Sequence, residues 1–291
     1  MSIASLVPRA LKLRYWRVEK RWYAAWPGAA NRLPLPDFLG IGAQKAGTTW
    51  LWENLRRHPE IFLPDKKELH YFDNKFDQSL RYYTHRFAEA RGRIKGEITP
   101  AYGILPRERI DFIRAIMPRV RLVFLIRDPV ERAWSQAVMD LVVRSGRALD
   151  EVSESEFLAF LESERSVSRG FYCRILDNWL GSFPSEQLYV GFFEDIRERP
   201  REFMSELFAH LGVSCDVDWS LFPLGRVIVP SVVPRGEGTQ GRPIRTAPGD
   251  SGGESVPCPD SVRERLGQLY AEELERLSER YGKRVAHWRR E

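Results

Sequence analysis

A short segment of the chain combines an apolar run, a glycine-containing loop and the start of a helix. The run Phe38–Gly42 leads into Gln44-Lys45-Ala46-Gly47-Thr48-Thr49-Trp50, after which apolar residues recur at helical spacing. Backbone N–H groups at such a helix start carry the positive end of the helix dipole and bind anions. Lys45 adds a full positive charge, and Thr48 and Thr49 add hydroxyl donors. The segment therefore predicts a phosphate site.

This loop differs from the nucleoside-triphosphate loop GxxxxGK[ST] in the position of its lysine. Gly42 and Gly47 have the spacing of that loop, but Thr48 stands where its lysine would be, and Lys45 lies inside the loop. The order of residues therefore disfavours a P-loop nucleotide kinase. An ordinary strand-to-helix turn with a solvated lysine is the alternative that implies no function.

A second cation follows another predicted central strand. Leu122–Ile126 is continuously apolar, which is typical of a parallel strand buried on both faces, and it ends at Arg127. The Asp-Pro pair that follows is typical of a helix start, so Arg127 lies at the edge where open α/β sheets bind ligands. With the hydroxyl of Ser135, two turns into that helix, its guanidinium suits a second phosphate. An ion pair of Arg127 with Asp128 or Glu131 is the structural alternative.

Together the two segments resemble the sulfotransferases that use 3′-phosphoadenosine 5′-phosphosulfate (PAPS), a nucleotide with phosphate at both its 3′ and 5′ ends. The resemblance extends over roughly residues 37–213 and is nearest in pattern to the heparan-sulfate and bacterial carbohydrate-type enzymes. It implies an α/β fold with a P-loop-like central parallel sheet flanked by helices. It also implies donor contacts at Lys45, Ala46, Gly47, Thr48, Thr49 and Trp50 for the 5′-phosphosulfate, at Arg127 and Ser135 for the 3′-phosphate, and at Tyr172.

The same resemblance gives a chemical role to the segment Lys67-Glu68-Leu69-His70-Tyr71-Phe72-Asp73. Sulfuryl transfer to an alcohol needs a base for the hydroxyl proton and a cation where charge builds on the departing phosphate. The resemblance implies that Glu68 is the base and that His70 and Asp73 line the acceptor site, while Lys45 supplies the cation. His70 is the next candidate base. An extended backbone would project Glu68 and His70 from the same side. Without the resemblance, this stretch is an ordinary solvated charge run.

Two positions depart from the family's pattern. The heparan-type enzymes have a lysine where this chain has Ile98, so a cationic contact is missing or is supplied elsewhere, for which Lys95 is a candidate. The family also closes over the 3′ end of the donor with a Lys/Arg-Gly loop ahead of its last helix. The candidates here are Arg235-Gly236, Gly241-Arg242 and Gly252-Gly253, and alignment to the last helix favours the third pair, which has no basic residue.

The composition is that of a globular enzyme. With 291 residues, 43% of them hydrophobic and 29% charged, the chain can bury one large α/β core. A net charge of +5 suits anionic ligands. Three widely spaced cysteines and five scattered histidines have the spacing of neither a disulfide framework nor a metal site. We therefore expect a cytoplasmic enzyme without a metal, with a small-molecule or glycan acceptor and without a nucleic-acid partner.

The chain divides into a basic aromatic N-terminal segment, residues 1–36, and a sulfotransferase domain, residues 37–291. We find no apolar run of the ~20 residues that cross a bilayer, and no signal peptide. Residues 10–26 alternate basic and aromatic side chains, which suits an anionic membrane at its inner face, packing on the catalytic domain, or a second subunit of a homodimer. Residues 214–258 predict a long mobile loop, and residues 259–281 an amphipathic closing helix.

The sequence thus predicts an enzyme that moves a sulfuryl group in line from PAPS to a hydroxyl or amine of a carbohydrate, glycolipid or natural product. A P-loop-type nucleotide kinase is one alternative, and a nucleotide-binding protein without catalysis is the other. The presence of both Lys45 and Glu68 disfavours the second alternative. The remaining elements that we predict are helices at Pro106–Met117, Val130–Val143, Glu154–Ser163, Phe171–Gly181 and Pro200–Leu211, and a strand at Leu188–Phe193.

Overall fold

The computed structural model describes residues 18–30, 32–225 and 256–289. Five strands form one sheet in which all neighbours are parallel, in the order β2-β3-β1-β4-β5. This sheet confirms the predicted α/β class. The strands are β1 (Phe38–Gly42), β2 (Ile61–Phe62), β3 (Ile94–Ile98), β4 (Arg121–Ile126) and β5 (Leu188–Phe192).

Helices connect and flank the strands. The α-helices are α1 (18–25), α2 (Pro27–Ala30), α3 (Thr48–Leu55), α4 (Leu80–Thr84), α5 (Arg107–Ile116), α6 (Pro129–Val138), α7 (Glu154–Leu161), α8 (Glu164–Val167), α9 (Tyr172–Leu180), α10 (Phe193–Glu198), α11 (Pro200–Leu211), α12 (Asp260–Leu269) and α13 (Ala271–Tyr281). A π-helical turn spans Met139–Val143, and 3-10 turns span His85–Phe87, Pro100–Ile104, Leu149–Glu151, Ser185–Gln187, Trp219–Leu221, Gly282–Arg284 and Ala286–Trp288.

The predicted helices and the predicted strand are present with ends within a few residues, but two of the helices differ in form. The helix expected over Val130–Val143 ends as an α-helix at Val138 and continues as the π-helical turn. The prediction of a single closing helix over residues 259–281 is wrong, because the helix is interrupted at Tyr270, which separates α12 from α13. The ring of Tyr270 is fully buried against Gly170 and Phe171, so the chain turns there to pack it inward.

The two central strands are buried along almost their whole length. All five residues of β1 and five of the six in β4 are buried, because helices cover the sheet. In β3, a Cβ atom on Gly96 would lie 2.0 Å from the ring of Phe38, so only glycine allows that ring to cross the strand. The parallel arrangement brings the carboxyl ends of β1, β3, β4 and β5 to one edge, where the predicted site residues follow the strands.

Some expectations fall on residues that the structure does not describe. The loop expected over residues 214–258 lies mostly within 226–255, outside the described residues, and so do the three candidate pairs for closure over the donor. Residues 1–17 of the N-terminal segment also lie outside them. Among the helices that are described, none is long and apolar enough to cross a membrane.

Candidate active site

The loop between β1 and α3 is shaped by two residues with left-handed backbone conformations. Lys45 has a φ of 72° and Gly47 a φ of 91°. Position 47 requires glycine for two reasons. Its left-handed backbone disfavours a side chain, and a Cβ atom there would lie 2.8 Å from Cδ1 of Ile196. Helix α3 begins directly afterwards at Thr48, and none of the described side chains caps its N-terminus. The first N–H groups of α3 therefore face the carboxyl edge of the sheet as an anion site.

Lys45 lies in a cationic environment. Burial, followed by the positive charges of Arg127 and Arg144, lowers the pKa of Lys45 to about 7. Nη1 of Arg127 lies 3.4 Å from the backbone oxygen of Lys45, so the side chain that follows β4 reaches the loop that follows β1. A ligand with several negative charges would relieve this repulsion and raise the pKa of Lys45 again. The site is thus electrostatically suited to a polyanion.

Arg127 is held loosely by the protein. The predicted alternative, an ion pair with Glu131, is present, but Nη2 of Arg127 lies 3.6 Å from that carboxylate, beyond ordinary hydrogen-bonding distance. Glu131 makes its shorter contact, 2.8 Å, with Arg263 of α12. The guanidinium stacks on Phe193 at 4.7 Å. This geometry leaves donor capacity on Arg127 for a ligand.

The other two residues expected near Arg127 lie on neighbouring helices. Ser135 is half-buried in the second turn of α6, whose start is capped by Asp128 as the sequence predicts. Tyr172 begins α9, and its hydroxyl donates a hydrogen bond of 2.9 Å to the backbone oxygen of Arg127. Tyr172 is fully buried, so its side chain positions the end of β4, and its contact with the donor stays a prediction.

Glu68, His70 and Asp73 form a continuous chain of polar contacts. Nε2 of His70 lies 3.3 Å from Oε2 of Glu68, and Nδ1 of His70 lies 2.7 Å from Oδ2 of Asp73. Lys67 donates to the other oxygen of Glu68 at 2.7 Å. The backbone is not extended here, the condition under which the two side chains would project from the same side, because Glu68 and His70 have φ values of 63° and 55°. Two left-handed residues turn the chain, and this turn brings the side chains together.

The contacts fix the charges of this chain at neutral pH. Burial opposes ionisation of Glu68, but the hydrogen bond from His70 and the charge of Lys67 outweigh it and lower the pKa of Glu68 to about 2. Asp73 and then Glu68 raise the pKa of His70 to about 9, against the effect of burial. The arrangement is therefore a carboxylate, an imidazolium and a carboxylate. Glu68 is ionised and oriented, as a proton acceptor must be. Its lowered pKa also makes it a weak base, so it can take the proton only as the acceptor oxygen bonds to sulfur and becomes acidic.

Lys95 does not replace the lysine that the heparan-type enzymes have at the position of Ile98. The Lys95 ammonium lies 2.7 Å from Oδ2 of Asp37, at the amino end of β3, whereas Ile98 ends the strand at the opposite edge of the sheet. The proposed substitution by Lys95 is therefore wrong. The structure instead brings Arg144, from the end of the π-helical turn, and Lys67 close enough to affect the pKa of Lys45. Sequence reasoning missed Arg144 because a regular helix was expected there.

A buried carboxylate lies beneath residues 67–73, which we call the acceptor loop after the role that the resemblance implies, and sequence reasoning missed its supporting role. Glu97 is almost fully buried and accepts hydrogen bonds from the hydroxyls of Tyr83 at 2.5 Å, Thr99 at 2.8 Å and Tyr102 at 3.0 Å. The hydroxyl of Tyr102 in turn accepts from the backbone N–H of Tyr71 at 2.8 Å. Glu97 therefore supports the loop that carries Glu68 and His70. Burial raises its pKa to about 7, although the three hydroxyls favour the charged form.

This burial predicts a pH-dependent stability that Glu97→Gln should remove. Because the pKa of Glu97 is higher in the folded than in the unfolded chain, its contribution to stability is complete below about pH 4.5 and is lost as the pH rises to about 7. The loss is about 3 kcal/mol at most. Urea unfolding at a series of pH values would measure it. Glu198→Gln, at an exposed carboxylate, is the control, and equal pH profiles for Glu97→Gln and the native chain would contradict the assignment.

The described residues contain no group of three or more His, Cys, Asp or Glu side chains that could hold a metal ion. The polar contacts of His70 are made with Glu68 and Asp73.

Comparison with known proteins finds relatives that are sulfotransferases. The sulfotransferase domain model matches residues 35–220. The chain is similar to the membrane-associated sulfotransferase kil1 of Dictyostelium discoideum, with 24% identity over 69% of this chain and 61% of that protein. It is also similar to the human heparan sulfate glucosamine 3-O-sulfotransferase 3B1, with 32% identity over 62% of this chain and 46% of that protein. The chain thus spans about half to three fifths of the length of these curated relatives.

Two solved structures share the fold. A sulfotransferase from Alicyclobacillus acidocaldarius aligns with a TM-score of 0.64 and 24% identity, covering 88% of this chain and 99% of that one. The mouse sulfotransferase SULT7A1, solved in complex with PAP, aligns with a TM-score of 0.50 and 15% identity, covering 90% of each chain. These likenesses confirm the predicted fold class.

Proposed function

The chain belongs to the sulfotransferase family, and on that premise we propose that it transfers a sulfuryl group from PAPS to a hydroxyl or amine of a carbohydrate, glycolipid or natural-product acceptor. One observation carries the proposal: two cations and an oriented carboxylate meet at one edge of the sheet. Lys45 and Arg127 follow neighbouring strands, and Lys67, which contacts Glu68, also affects the pKa of Lys45.

The residues divide the reaction between them. Glu68 takes the proton of the acceptor hydroxyl while the acceptor oxygen bonds to sulfur and the bond from sulfur to the bridging phosphate oxygen breaks. Lys45 offsets the charge that develops on that bridging oxygen, and the N–H groups at the start of α3 hold the non-bridging oxygens. His70, held by Asp73, keeps Glu68 ionised and aimed. The second product is 3′-phosphoadenosine 5′-phosphate (PAP).

The comparisons support the donor and the acceptor class in different ways. The mouse neighbour was solved with PAP, which supports a donor with phosphate at both ends. The human relative is named for heparan sulfate glucosamine, which supports a carbohydrate hydroxyl as the acceptor. We propose a cytoplasmic location, and the free thiols of Cys173, Cys215 and Cys258 are compatible with it.

PAP should raise the melting temperature by several degrees, and ATP with magnesium should raise it much less. Stabilisation by a ligand amounts to about 2.7 kcal/mol at a hundredfold excess over its dissociation constant. Differential scanning fluorimetry across a concentration series would measure both shifts. Equal shifts for PAP and ATP would remove the basis for the sulfotransferase proposal and favour the nucleotide kinase instead.

A further inference from the structure

The first helix presents three large apolar side chains to solvent. Val18 is 61% exposed, Trp22 50% and Trp26 65%. They are spaced four residues apart, and the N–H of Trp26 donates to the backbone oxygen of Trp22 at 2.9 Å, so helical geometry extends across this spacing. The three side chains therefore lie on one side of the helix. We refer to Val18, Trp22 and Trp26 as the N-terminal face.

The opposite side of the helix is anchored to the catalytic domain. Lys20 and Tyr23 are buried. The ammonium of Lys20 donates to the backbone oxygen of Gln78 at 2.8 Å and lies 4.7 Å from the centre of the Phe76 ring. One of the alternatives for this segment was packing on the catalytic domain. The residues that pack there are Lys20 and Tyr23, which do not belong to the N-terminal face. Within the described part of the chain, the domain leaves that face exposed.

The chemistry of the N-terminal face fits an anionic membrane surface. Indole rings favour the boundary between lipid headgroups and acyl chains, where an apolar ring and a polar N–H are both accommodated. Arg21 is exposed directly beside Trp22. The preceding sequence, outside the described residues, adds Lys12, Arg14 and Arg17. The exposed indoles of Trp22 and Trp26 beside Arg21, in a segment whose sequence adds three further cations, have the charge complementarity that anionic headgroups require.

The anchor of this helix is continuous with the acceptor loop. Phe76 and Gln78, which hold Lys20, follow Asp73 by only a few residues. Tyr71, next to His70, lies 5.9 Å from the ammonium of Lys20 and donates from its hydroxyl to the backbone oxygen of Gln78 at 3.2 Å. A surface bound by the N-terminal face would therefore be held one helix diameter, ~10 Å, from the segment that carries the acceptor residues.

We propose that the N-terminal face inserts into the headgroup region of an anionic membrane and that the acceptor is a hydroxyl carried by a lipid in that membrane. The membrane insertion does not depend on the reaction that the enzyme catalyses. The lipid acceptor, in contrast, rests on the proposed sulfuryl transfer. An enzyme docked in this way would meet its acceptors by diffusion in the plane of the membrane.

Vesicle sedimentation of the full chain tests the docking without any turnover. We expect binding to phosphatidylcholine vesicles that contain phosphatidylserine, weaker binding to phosphatidylcholine alone, and loss of binding in high salt. The double variant Trp22→Ser, Trp26→Ser should bind at least about tenfold more weakly, and Arg21→Ala about fivefold. Leu221→Ser, at a side chain that is 59% exposed elsewhere, is the matched control and should bind normally.

Three results would overturn the docking: equal vesicle binding by the double tryptophan variant and the native chain, no binding by the native chain, or a dimer in sedimentation equilibrium that the double variant converts to monomers. The last result would assign the N-terminal face to a second copy of the chain. A glycolipid presented in vesicles and its water-soluble headgroup then test the acceptor. Faster sulfation of the soluble headgroup than of the glycolipid would refute the proposal of a lipid acceptor. Docking of the chain to vesicles without sulfation of either acceptor would count against the proposed function.

Discussion

Glu68→Gln is expected to lower the rate of sulfuryl transfer about 10²- to 10⁴-fold, because the amide keeps the shape of the side chain but cannot accept the acceptor's proton. Donor affinity should barely change, since Glu68 contacts Lys67 and His70 rather than the anion site at α3. Single-turnover sulfation of an acceptor, paired with calorimetric titration of PAP, separates the two quantities. Asp65→Asn, at an exposed carboxylate three residues away, is the control and should leave both unchanged.

The pattern across variants decides between bases. Lys45→Ala should damage turnover and PAP binding together, because the charge of Lys45 meets the phosphate in the ground state and in the transition state. A Glu68→Gln variant with near-native turnover would show that the base lies elsewhere. His70, which its carboxylate partners keep protonated at neutral pH, is then not the next candidate that the sequence had suggested. If Glu68→Gln instead weakened PAP binding as much as Lys45→Ala does, the carboxylate would be part of the donor site.

Arg127→Ala should weaken the binding of PAP by about 2–4 kcal/mol, since it removes a charge-assisted donor from a half-buried phosphate site. The variant should bind adenosine 5′-phosphosulfate, which has no 3′-phosphate, almost as well as the native chain does. Calorimetric titration of both nucleotides measures this difference. Arg107→Ala is the control, because Arg107 pairs with Asp111 on the surface of α5. Proportionate weakening of both nucleotides would identify Arg127 as a structural residue.

The sequence predicted the parts of the site that depend on strand order and direction. Lys45 and Arg127 each follow a continuously apolar run, and parallel pairing of β1 with β4 brings such positions to one edge. Lys95 was misjudged because its place at the start of β3 puts it at the other edge, where Asp37 pairs with it. Direction along a strand, which is readable in the sequence, decides which side chains can reach the ligand.

Other features depend on contacts that no local pattern encodes. The left-handed backbone at Glu68 is imposed by the surrounding fold, since glutamate does not favour it, whereas histidine, as at position 70, adopts it more readily than most residues do. The hydroxyls that meet Glu97 come from Thr99 and Tyr102, in the turn that follows β3, and from Tyr83 of α4, and no local spacing predicts that Tyr83 reaches Glu97. The same holds for the turn at Tyr270, which follows from packing on Gly170 rather than from a helix-breaking residue.

The left-handed conformations at Glu68 and His70 have an evolutionary consequence. Each costs about 1–2 kcal/mol relative to glycine, a cost that the contacts among Glu68, His70 and Asp73 offset in part. Glycine at either position would remove the strain and these contacts together, so a descendant released from selection for catalysis would tolerate it. We expect lineages with glycine at positions 68 and 70 to melt close to the temperature of their active relatives, which thermal unfolding of paired homologues would reveal. Selection for turnover, rather than for a stable fold, would then be what retains these two residues.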